Sequence, residues 1–234
     1  MNYGEMTSLL KQRGIEISNE TCVKFDQYLH LLVEWNEKFN LTSITSEGEV
    51  IEKHFYDCLL ASDPTLMVNQ NVADLGSGAG FPGLVWAIVY PTCQFTLIDA
   101  TKKKCSFLEE VAKALNLDNV KVINGRIEQL PPELRESFDI VTARAVAELR
   151  ILLELGTPLL KIGGTFIAMK GSQGEEELQK ATHACRVLGL GEAKILHSEL
   201  PNSDGKRINL YLPKIKKTEK RYPRNYADIK KKPL

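Results

Sequence analysis

The chain has 234 residues, 43% of them hydrophobic and 26% charged, with 30 basic and 30 acidic side chains. That is the make-up of an ordinary soluble globular protein, long enough for one large α/β domain with a modest extension. No apolar run approaches a membrane span, no apolar signal core opens the chain, and the five cysteines are scattered without a C-x-x-C pair; this argues against a membrane protein and a zinc site and points to reduced thiols in the cytoplasm.

Residues 1 to about 65 read as helical. A short helix over 3–13 is stopped by Gly14, and Ser18 or Asn19 caps a longer one in which Phe25, Leu29, Leu32 and Phe39 recur at helical spacing. A third helix is expected from Glu47 to Ala61. No strand pattern occurs here, so 1–65 is expected to form a helical cap beside a main domain at 66–213.

From residue 71 strands and helices alternate. "NVADL" reads as a strand, followed by a glycine loop and a helix with Pro82 in its first turn. "QFTLID", "VKVIN", "FDIVTAR" and "GGTFIAMK" are further strands, with helices over "KKCSFLEEVAKALNL", "AELRILLELGTPLL" and residues 174–188. "EAKILHSEL" and "KRINLYLP" read as a closing antiparallel pair joined through "PNSDG". Five strand–helix units imply an α/β fold with a doubly wound, mainly parallel sheet. Closing it with a strand pair gives seven strands, the ending of Rossmann-like class I methyltransferases.

The glycine loop, "DLGSGAGFPG", has two readings. Gly78, Gly80 and Gly83 match the dinucleotide fingerprint G-x-G-x-x-G, whereas Asp74, Gly76, Gly78 and Gly80 form D-x-G-x-G-x-G. Both place a ligand against bare backbone at a strand's end. Asp74 discriminates, because a carboxylate there would repel a pyrophosphate but suits the α-ammonium and sulfonium of S-adenosylmethionine. Phe81 stands where the dinucleotide register counted from Gly76 needs glycine. Asp99, ending the second strand, suits the ribose hydroxyls of either ligand. Ile127 can cover an adenine face, and Glu128 lies within reach of its edge or is simply a surface carboxylate.

The fourth strand ends in "TARAVAEL". An Asn/Asp-Pro-Pro-aromatic motif, used to methylate exocyclic amines, is absent, and no cysteine nucleophile lies between Cys105 and Cys185. That leaves an acceptor already nucleophilic, such as guanine N7, whose methylation needs alignment and no general base. Arg144, ending this strand, suits the cofactor or acceptor site, or a salt bridge. Lys170 ends the fifth strand in the same way. The dispersed histidines, His54 among them, read as surface or core residues. No metal site is expected.

Net charge zero hides an asymmetry. Residues 214–234 hold nine Lys/Arg and two Asp/Glu, a net of +7, which leaves −7 on the rest. Such a basic tail suits a polyanion, or solvent alone. Arg221 and Arg224 bracket Tyr222, placing guanidiniums for phosphates beside a ring that can stack on a base. Lys102, Lys103, Arg126, Lys170 and Arg207 could join them in holding RNA.

The stretches "YLHLLVEWNEKFNLTSI", "KHFYDCLL", "DLGSGAGFPG", "FDIVTARAVAEL" and "KRYPR" closely resemble the glucose-inhibited division protein B family, in the same order and over nearly the whole chain. These are bacterial methyltransferases of small-subunit ribosomal RNA. The resemblance implies S-adenosylmethionine as donor, guanine N7 in a conserved decoding-region loop of 16S rRNA as acceptor, and the rRNA or small ribosomal subunit as partner of a cytoplasmic monomer. It maps the cofactor positions onto Gly76, Phe81, Ile127 with Glu128, and Arg144. Two local departures stand out: "LVWAI" follows the loop where "IPLAI" is usual, and "KKK" replaces a Lys-Arg pair. The rival expectations are an NAD-dependent oxidoreductase and a non-catalytic RNA-binding assembly protein.

Overall fold

A computed structural model describes residues 1–234, apart from the side chains of Ser203 and Asp204. Helix α1 (Tyr3–Lys11) opens with a capping box, Asn2 accepting from the Glu5 amide while the Glu5 carboxylate accepts from that of Asn2. Helix α2 (Asn19–Phe39) is capped by Ser18 and ends on Asn40 in the left-handed region, φ 45°. The expected third helix is one continuous rod with an irregular centre: α3 (Glu47–Val50), a π-helical stretch (Ile51–Tyr56) and α4 (Asp57–Leu60). A π turn takes one residue more than an α turn and so rotates every later side chain round the axis. Periodicity in the sequence does not mark it.

Seven strands form one sheet in the order β3-β2-β1-β4-β5-β7-β6. They are β1 (Asn71–Leu75), β2 (Gln94–Asp99), β3 (Val120–Asn124), β4 (Phe138–Arg144), β5 (Leu160–Lys170), β6 (Lys194–Leu200) and β7 (Ser203–Pro213). All pairings from β3 to β5 are parallel, and β7 runs antiparallel to both β5 and β6. The turn between β6 and β7 is shorter than the five residues expected, since β7 already begins at Ser203. The chain reverses its direction across the sheet between β1 and β4, which opens a crevice at the carboxyl ends of those strands.

Alternate strand residues divide the core into two layers. Val72, Phe95 and Ile140 pack with the N-terminal helices, α5 (Gly83–Val89) and α6 (Lys102–Ala114). Ala73, Ile98 and Val141 pack on the other face with α7 (Leu149–Gly156) and α9 (Thr182–Leu188). The segment expected as one helix after β5 is split at Ala181 into α8 (Gly174–Lys180) and α9. The N-terminal helices share the first core. Rings of Phe25, Tyr28, Phe55, Phe81 and Phe107 form one cluster, and the Trp86 indole donates to the Cys58 carbonyl at 2.8 Å.

Residues 214–234 lie against this body. The buried Lys214 ammonium donates to the carbonyls of Thr157 and Leu160 and to Glu136. Arg135 donates to the carbonyls of Thr218, Glu219 and Tyr222. Helix α10 (Tyr226–Lys231) then rests on α7, with Ile229 fully buried.

Candidate functional site

β1 delivers Asp74 to the crevice, and the glycine loop begins two residues later. The amides of Gly76 and Ser77 both donate to Ile98 O, at 2.8 and 3.1 Å, lashing the loop to β2. Asp74 is wholly buried, and its Oδ2 accepts from the Gly83 amide at 3.0 Å where α5 starts. Its Oδ1 has no hydrogen-bond partner. Burial pushes the Asp74 carboxyl up to about 7. Asp99 grips the loop from β2, Oδ2 accepting from Gly78 at 3.0 Å and Oδ1 from Thr101 at 2.8 Å.

Gly76, Gly78 and Gly80 all adopt positive φ, +64°, +59° and +94°, which side-chain-bearing residues rarely hold. A Cβ on Gly76 would stand 2.8 Å from the Val146 methyl Cγ2 on the loop after β4, whereas one on Gly78 would meet nothing nearer than 3.7 Å. The loop thus presents bare backbone to open space at Gly78, while Gly76 and Gly80 pack closely on Val146 and on Leu84 with Tyr28, and the strand before it ends in a buried acceptor lacking a donor. Those features fit a ligand with a cationic head and a sugar diol. They do not fit a diphosphate, for which Asp74 is the wrong charge.

Further along the same edge, Ile127 and Glu128 lie in a 3-10 turn (Ile127–Gln129) after β3. Ile127 is half-buried against the α7 core, and Glu128 has a mostly buried side chain 3.9 Å from Arg126. Gly76, Gly78, Asp99, Ile127 and Glu128 therefore follow the carboxyl ends of β1, β2 and β3 in turn.

Phe81 and Arg144 lie on the other side of the loop. The Phe81 ring stacks on His54, centroids 4.2 Å apart, and the Arg144 guanidinium sits over it at 4.9 Å. Arg144 donates to Lys53 O and to Asp57 at 3.1 and 3.2 Å, and to His54 Nδ1 at 3.1 Å. The same Nδ1 lies 3.0 Å from Lys53 O, and Nε2 lies 3.0 Å from Thr42 Oγ1, so both ring nitrogens have polar neighbours. Burial and the adjacent guanidinium hold His54 down to about 3, leaving it neutral. Reading His54 as a core residue agrees with its burial, but the helical rod brings it and Asp57 to the site. The only trace in the sequence is "KHFYD", where His54 and Asp57 stand three apart and flank Phe55 and Tyr56. A cavity of about 880 Å³ opens here, lined by His54, Asp57, Arg144, Lys170 and Arg207 among others.

The basic residues singled out in the sequence do not form one surface. Lys102, Lys103 and Arg126 are exposed, Lys103 lying over the Phe39 ring. Arg221 is exposed, paired with Glu219 at 3.0 Å and resting over Tyr222. Lys170 is tied to Ala147 O and Glu177, each at 2.8 Å. Arg224 clamps the fully buried Glu154 through its amide and its guanidinium, at 2.5–3.0 Å. Arg207 Nε meets Asp57 Oδ1 at 2.7 Å. Among the described residues no group of His, Cys, Asp and Glu could hold a metal ion, and no helix is long and apolar enough to cross a membrane.

The sheet order and glycine loop are those of class I S-adenosylmethionine-dependent methyltransferases. Solved structures of this fold align with the chain: M. jannaschii TYW2 in complex with AdoMet at a TM-score of 0.55 and 17% identity, covering 74% of this chain and 80% of that one. YcgJ protein from Bacillus subtilis aligns at a TM-score of 0.53 and 18% identity, covering 70% and 100%. Sequence likeness reaches further. The family model "GidB: rRNA small subunit methyltransferase G" matches residues 21–205. The "Ribosomal RNA small subunit methyltransferase G" of Staphylococcus saprophyticus is 44% identical over 236 residues, covering 100% of this chain and 99% of the relative. That of Bacillus subtilis is 43% identical over 238 residues, with the same coverage. The chain belongs to the rRNA small subunit methyltransferase G family. It is a methyltransferase, and its cofactor is S-adenosylmethionine.

Proposed function

We propose that this enzyme methylates N7 of a guanine in a conserved decoding-region loop of 16S rRNA, acting as a cytoplasmic monomer on the rRNA or the small ribosomal subunit. The observation that carries the reading is the buried Asp74 at the switch point, one oxygen holding α5 and the other without a donor. The named activity of the relatives supports the substrate class. In this reading Asp74 and Gly76 hold the amino-acid head of the cofactor, Gly78 and Asp99 its ribose, and Ile127 with Glu128 its adenine, while Phe81 and Arg144 bound the end nearest the acceptor. Bound S-adenosylmethionine supplies a methyl group activated by the adjacent sulfonium.

Guanine N7 has a free lone pair, so the acceptor needs no deprotonation. The chain's task is to hold both partners in line and exclude water. His54 supports this by default: both its ring nitrogens are engaged, and its depressed basicity keeps it from acting as a base near neutral pH. Of this set, the exposed Lys102 and Lys103 have no carboxylate partner among the described residues, and Arg126 and Arg221 are exposed but each lies beside one, so the two lysines are the cations most open to RNA phosphates. The test is a mass spectrum of small-subunit RNA from a strain lacking the gene. The reading expects one 7-methylguanine to vanish, and an intact modification rejects it.

A further inference from the structure

The cavity beside the glycine loop is lined by Lys53, Arg144, Arg150, Lys170, Lys180 and Arg207. Four of them have a carboxylate each: Lys53 pairs with Glu49, Arg150 with Glu148, Lys170 with Glu177, and Lys180 with Glu176. Arg144 and Arg207 share one, Asp57, through its two oxygens at 3.2 and 2.7 Å. Asp57 is buried, and His54 on the same rod is neutral, so it adds no charge. Among the described residues the cavity wall thus carries one positive charge without a counter-charge, located on this arginine pair.

The two arginines differ in freedom. Arg144 is held by Lys53 O, Asp57, His54 and the Phe81 ring. Arg207 is fixed through Nε, and among the described residues its Nη1 meets Lys206 O at 3.5 Å while its Nη2 makes no hydrogen bond, on a side chain that is 24% exposed and lines the cavity. A carboxylate bridging two guanidiniums orients both forks, and a fork with a spare edge matches a phosphate oxygen pair.

We propose that Arg144 and Arg207, bridged by Asp57, form a clamp for one phosphodiester of the RNA beside the acceptor base, with Asp57 and His54 as positioning residues. This rests on the RNA methyltransferase reading above and moves Arg144 from the cofactor to the acceptor. The π-helical stretch is part of the device, since it sets the facing of His54 and Asp57. Such interruptions recur at functional sites.

The test uses the whole enzyme and small subunits from a strain lacking the gene. Binding to these subunits is measured against salt, methyl transfer by kcat and KM, and S-adenosylhomocysteine affinity by calorimetry, with thermal melts to confirm folding. Arg207→Ala is expected to reduce the salt slope by about one and kcat/KM by about tenfold or more, leaving S-adenosylhomocysteine affinity unchanged. Arg207→Lys keeps the charge without the fork, so it should restore the slope but not kcat/KM. Asp57→Asn should keep or steepen the slope while kcat/KM falls, because charge is gained and alignment lost. An unchanged slope in Arg207→Ala overturns the clamp. So does a parallel loss of S-adenosylhomocysteine affinity, which would return the pair to the cofactor. Wild-type enzyme transferring no methyl would sink the underlying activity instead, while the binding slopes still decide the clamp.

Discussion

Asp74 meets two conflicting demands. Its Oδ2 holds the start of α5, while Oδ1 lies buried without a donor. With its carboxyl raised from 3.8 to about 7, the ligand-free protein binds a proton that the unfolded chain releases. Stability therefore falls as pH rises through that window, by up to about 4 kcal/mol. A cationic ligand head reverses the preference and favours the ionised form. Affinity for S-adenosylmethionine should then be full above pH 7 and fall about tenfold per unit below it, which calorimetry across pH 5.5–8.5 (a range of roughly three units) can follow. Asp74→Asn should flatten that profile, weaken binding and raise the melting temperature at pH 8. A steep profile surviving in the variant would assign the proton elsewhere. Gly76→Asp should abolish donor binding, since its Cβ would crowd Val146 at a backbone angle few residues accept; undiminished affinity would contradict the assignment of the loop.

At the scale of elements, the glycine loop and the helix over the rod of α3 and α4 were readable, but the π-helical centre of that rod was not. Asp74, Gly76, Gly78 and Asp99 fall within a few residues of strand ends, where spacing alone places them. His54 and Asp57 depend on a π-helical stretch that no hydrophobic repeat announces, and on a partner, Arg207, separated from Asp57 by 150 positions. The charge-rich end was misleading for a related reason. Composition counts Lys214 and Arg224 as cations available to RNA, but the first lies under β5 and the second neutralises the buried Glu154 of α7. Glu154→Ala should cost about 3 kcal/mol in denaturant unfolding, because it strands a guanidinium and removes the α10 anchor. A loss near zero would show that α10 docks through Ile229 alone.

For the whole molecule, alternation of strand and helix sufficed to predict a seven-stranded sheet, because each unit writes its own local pattern. How the outer pieces dock was beyond reach, since that depends on side chains such as Arg135 meeting carbonyls far along the chain. The contribution of residues 214–234 to RNA binding is accordingly tested by charge and not by removal. Truncation would expose Tyr222, Ile229 and Glu154 and unfold more than it informs. Replacing the exposed Lys230, Lys231 and Lys232 with Gln should leave the melting temperature within about 2 °C. If the segment touches RNA, the same change makes the salt dependence of subunit binding shallower. An unaltered salt dependence would remove it from the interface.

The last hairpin is riveted to the helical rod at three points: Asn202 on Glu52, Arg207 on Asp57, and Tyr211 on the carbonyl of Ala61. Each rivet joins residues 150 positions apart in the chain. A disturbance of β7 is therefore carried directly to the rod that holds His54 and Asp57, however intact the glycine loop remains.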